Sequence, residues 1–122
     1  GVRDKTSIVV FDAASLALTD MSEGLIDAMV VQNPYQMGYL SVQLIKAMVE
    51  EDGDEIKNIF PAYDPATKTF SEPDGDIFNT ELRVVVPDES SPLKAEMFRP
   101  ETRFFYYNDF KTWLDERGLV SS

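Results

Sequence analysis

A chain of 122 residues with 43% hydrophobic side chains carries enough apolar material for one core and too much for a disordered segment. Its 22 acidic residues outnumber the 11 basic ones for a net charge of −11, so it lacks the basic footprint that a nucleic acid requires, and no such partner is expected. Cysteine and histidine are both absent, which removes disulfides, thiolate chemistry and the commonest general base and metal ligand. No apolar run reaches transmembrane length.

Residues 1–6 are polar and lead into a first strand, Ser7 to Phe11, apolar on both faces. Asp12 ends it. A short helix from Ala14 to Glu23 puts Ala17, Leu18 and Met21 on one side, and Gly24 closes it. Ala28 to Val31 follows as a buried strand, short and rich in β-branched residues. Residues 7–31 therefore read as a β-α-β unit with parallel strands and a right-handed crossover. Asp12 and Gln32 then stand at the carboxyl ends of both strands, on the sheet edge where open α/β sheets bind ligands.

Asn33 reads as an N-cap, Pro34 as the first helical residue, and Gln36 as the side chain reaching back to the cap. Met37, Leu40, Leu44 and Met48 form one helical stripe, widened by Val42, Ile45 and Val49. Gly53 is the expected C′ residue. Residues 54–76 read as an irregular connection. The acids flanking Gly53 lack the spacing of a calcium loop and read as a solvated turn. Ile56 to Phe60 is read as a short strand, and Pro61 to Asp76 as a loop or small hairpin. Ile77 to Val86 is the next strand, with Phe78, Thr80, Leu82, Val84 and Val86 on one face, and Pro87 stops it. Phe104 to Tyr107 is a further strand. Asn108 caps a last helix that buries Phe110, Trp113 and Leu114, and Gly118 ends it. The expected fold class is α/β, a parallel-sheet β-α-β unit with flanking helices.

The run Ile8-Val9-Val10-Phe11-Asp12, followed by Gly24 to Val31 and then Gln32-Asn33-Pro34-Tyr35-Gln36-Met37-Gly38, resembles the carboxyl-terminal part of type I periplasmic sugar-binding proteins, the ribose-binding-protein-like group of ABC importers. The likeness covers residues 7–49 and continues more weakly through Ile77 to Val86. It implies a fragment of the type I periplasmic-binding-protein fold, a single domain or part of one, whose other lobe is not in this sequence. It also implies that Asp12 and Gln32 contact a small sugar, with Gln32 at a crossing between lobes. The implied setting is periplasmic or extracytoplasmic, with a membrane permease as partner. A sugar-responsive regulator of the LacI-like group shares the fold and is the alternative; it would need a basic helix-turn-helix module.

Spacing alone favours structural roles, Asp12 capping the next helix and Gln32 tying the corner; the resemblance reverses that preference. A carboxylate accepts hydrogen bonds from adjacent hydroxyls and an amide donates and accepts at once, which suits a polyol. Phe11 and Tyr35 complete the candidate set, although Phe11 lies in a strand and reads more readily as core. The aromatic run from Phe104 reads as sheet core or a lobe contact. No acid–base pair, nucleophile elbow or phosphate loop is present, so a binding protein without metal or cofactor is expected rather than an enzyme. The stripe of the long helix requires cover, by folding back on the chain or against a second copy, so a homodimer is expected.

Overall fold

The computed structural model describes residues 1–121 and resolves the chain into two compact units. The first comprises Gly1–Asn33 and the chain from Glu81 onward; the second is Pro34–Thr80.

The first unit is α/β. Its strands are β1 (Val9–Phe11), β2 (Ala28–Val31), β5 (Arg83–Val86) and β6 (Arg103–Tyr106), in the order β1-β2-β5-β6. β1 runs parallel to β2, with Val10 opposite Met29, and the intervening α1 (Ser15–Ser22) makes the expected β-α-β unit. β5 is antiparallel to β2, with Val31 opposite Arg83, and β6 is parallel to β5. The sheet is thus mostly parallel.

Two layers cover it. α1 and α4 (Tyr107–Asp115) bury Met21, Phe110 and Leu114 against Met29, Val31 and Val85. On the opposite face, Leu93 and Phe98 from the β5–β6 crossover cover Ala28, Val84 and Val86. That cover stops short of β1. Val9 is 53% exposed and Phe11 73% exposed, while Val10, on the helix side, packs into the core. The reading of Phe11 as core is therefore corrected: β1 is apolar on both faces, but it is an edge strand with one bare face, and Phe11 lies on it.

The last helix starts two residues earlier than its sequence indicates. Tyr106 is the N-cap and makes no side-chain cap bond, so Asn108 lies inside the first turn. Gly118, at φ 64, ends the segment as expected.

The second unit contains α2 (Pro34–Val49), α3 (Gly53–Ile59) and a hairpin of β3 (Tyr63–Asp64) with β4 (Thr69–Phe70). α2 begins at Pro34 as its cap signals indicate. It ends in a Schellman-type turn: Asp52 N–H donates to Ala47 O at 2.8 Å and Glu51 N–H to Met48 O at 3.3 Å. Glu51 takes the left-handed conformation at φ 54, so the C′ residue is Glu51 and not Gly53, which opens α3. Ile56 to Phe60 is helical rather than a strand. The Asp52 carboxylate accepts from Glu55 N–H at 3.0 Å, acids occupy the first turn and Lys57 the last, and Ile56, Ile59 and Phe60 recur at helical spacing. α2 and α3 pack together through Leu40, Leu44 and Ala47, with the Gln43 amide donating to Glu55. Met48, Val42, Ile45 and Val49 stay exposed. Residues 77–82, expected to be strand, have no regular structure; only Arg83–Val86 is strand, and all four of its residues are buried.

Candidate functional site

The parallel register sets the site. Phe11 pairs with Val30, so the next residue on β1, Asp12, and the residue after β2, Gln32, emerge at the same end of the sheet. Both are exposed. Asp12 takes a left-handed backbone at φ 64, which anchors its N–H to Val30 O at 2.8 Å. Asp is among the few non-glycine residues that tolerate this conformation.

α1 is capped by Ala14, whose side chain makes no cap bond, so Asp12 does not serve as its cap. Its carboxylate makes no hydrogen bond or ion pair among the described residues. Phe11 precedes it on the bare face of β1, adjacent in chain but alternate in direction. Tyr35 belongs to the second unit, where it stands 79% exposed at the head of α2 and stacks on Tyr39 with ring centres 6.1 Å apart.

A charged cluster beside Gln32 escaped the sequence reading. Because β5 is antiparallel to β2, its first residue, Arg83, lies next to the carboxyl end of β2. Arg83 is only 5% exposed. Its guanidinium lies 2.6 Å from Glu81 Oε1, 4.5 Å from the Trp113 ring centre, and within 3.5 Å of the Gln32 carbonyl. Arg103 on β6 stands 3.9 Å from the same Glu81 oxygen. The local spacing of two between Glu81 and Arg83 is that of one strand face, but only Arg83 lies in β5, and the spacing alone does not place the pair beside Gln32.

At the opposite end of β2, Asp27 fixes the entry of the chain into β1. The Arg3 side chain and the Ile8 N–H both donate to its carboxylate, at 3.0 and 2.7 Å. The Arg3 hydrogen bond is the larger reason that the Asp27 carboxyl is held below the usual range, with the Ile8 N–H adding to it and burial opposing it.

Among the described residues no group of three or more acidic, histidine or cysteine side chains is placed to hold a metal, and no helix is long and apolar enough to cross a membrane. No family model, no curated protein and no solved structure matches the chain.

Proposed function

We propose that the sheet edge carrying Asp12 and Gln32 is part of a small-sugar site, and that the chain supplies it within a two-lobe receptor similar to the substrate-binding proteins of ABC sugar importers. One observation carries the reading. The chain leaves the first unit between Asn33 and Pro34 and returns to it between Thr80 and Glu81, through neighbouring antiparallel strands in which Val31 faces Arg83. Two adjacent crossings at the end of a sheet are the arrangement of a hinge. Asp12 and Gln32 stand at that same end.

The chemistry supports the same reading. An exposed carboxylate without a protein partner accepts two sugar hydroxyls, and a neighbouring amide donates to one oxygen and accepts from another. Half a site binds weakly, so affinity on the order of millimolar is expected. Saturation-transfer NMR against pentoses and hexoses tests the proposal. The expected result is transfer to the ring protons of at least one monosaccharide, lost in Asp12→Ala. Transfer to none, or transfer unchanged in the variant, would remove sugar from the function.

A further inference from the structure

The second unit contains a cleft of about 680 Å³, well away in sequence from Asp12 and Gln32 and built from different elements. We propose that it binds a small organic cation with an aromatic or apolar body.

The size falls in the range of roughly 300–1,000 Å³ typical of small-molecule sites. One wall is aromatic. Phe60 meets Phe70 edge to face at 5.9 Å, and Tyr63 tilts against Phe70 at 5.3 Å, so the rings brace one another while Phe70 keeps an open face. Two glycines keep the walls close. A Cβ on Gly53 would come within 2.7 Å of the Pro65 Cβ, and one on Gly75 within 2.7 Å of the Ala62 Cβ. The hairpin turn is thereby seated directly on the start of α3, and the chain beyond the hairpin on the turn that follows α3.

Charge decides the occupant. Glu51, Asp52, Asp54 and Asp76 line the cleft against a single cation, Lys68. The Asp52 carboxylate is committed to capping α3, but those of Glu51, Asp54 and Asp76 make no ion pair or hydrogen bond among the described residues. An anion is repelled here, and a neutral ligand, even one whose hydroxyls donate to the carboxylates, draws no attraction from the net negative charge. A cation gains twice, from the carboxylates and from the quadrupole of the aromatic faces, while an apolar body fills the space beside Met48 and Ile56.

Titration of the ¹⁵N-labelled chain with benzyltrimethylammonium tests this, with benzyl alcohol and benzoate as neutral and anionic counterparts. The expected result is saturable shifts at the amides of Gly53, Tyr63 and Phe70, with the cation bound roughly tenfold tighter than the alcohol and no saturation by benzoate. The double variant Glu51→Gln, Asp76→Asn should weaken the cation severalfold, narrowing its advantage over the alcohol, while leaving the spectrum dispersed. Equal binding of the alcohol and the cation, or no saturable shift with either, would overturn the proposal. So would shifts of the same amides that follow protein concentration alone, because the occupant is then a second copy of the chain.

Discussion

Asp12 occupies a conformation that glycine adopts freely and other residues adopt at a cost of about 1 kcal/mol. Its side chain returns nothing to the fold, since the carboxylate has no partner among the described residues. Stability and binding should therefore respond with opposite signs. Asp12→Gly should raise unfolding stability by about 0.5–1 kcal/mol in chemical denaturation, because the left-handed backbone is no longer strained. The same substitution should weaken sugar binding by about 1.5–3 kcal/mol, the range for hydrogen bonds to a charged group. A loss of stability would mean that the carboxylate is structural. Asp27 behaves in the reverse way. Its folded carboxyl titrates below the ordinary value of about 4, so its contribution is complete above that pH and disappears as the pH falls through the lowered value. Asp27→Asn should lower stability at neutral pH and flatten the acid limb of stability against pH. An unchanged acid limb in denaturation at successive pH values would show that the pairing with Arg3 and Ile8 contributes nothing.

α3 shows how an element can be misread from its apolar residues alone. Ile56, Ile59 and Phe60 in so short a run look like a strand, but the deciding information lies just before them, in the Asp52 cap and the acidic first turn. Asp52→Ala should cost about 1 kcal/mol through the lost cap, measurable by thermal unfolding. In the hairpin, Lys68 sits at φ 55 and its N–H closes the turn on Asp64 O at 2.8 Å. Lys68→Gly should add about 0.5–1 kcal/mol; a loss would place the lysine side chain in the packing of the unit. Other elements were legible for clear reasons. The strand Ala28 to Val31 and the long helix from Pro34 carry both an apolar pattern and a boundary signal. β1 carries the pattern alone, and no local feature of Val9 or Phe11 tells that the crossover covering the neighbouring strands stops before reaching them.

Across the whole chain, the sheet edge was legible because a β-α-β unit admits essentially one hand and one register, which carries Asp12 and Gln32 to the same place. The Glu81–Arg83 pair was not, because its position depends on β5 running antiparallel to β2, and the whole of the second unit, Pro34–Thr80, intervenes. The division at Asn33 and Thr80 is likewise a property of long-range pairing, invisible in local propensity. The aromatic cleft was hidden for a simpler reason: beside Leu44 and Met48 of the long helix, its walls come from 56–60, read as a strand, and 61–76, read as a loop or small hairpin. The ¹H–¹⁵N spectrum of the chain, followed as a monosaccharide is added, examines the sugar site most directly. Saturable shifts should concentrate at Asp12, Ala13, Gln32 and Arg83 in the first unit, and should vanish in Asp12→Ala. Shifts confined to residues 53–76, or absent from the sheet edge for every pentose and hexose tried, would contradict it.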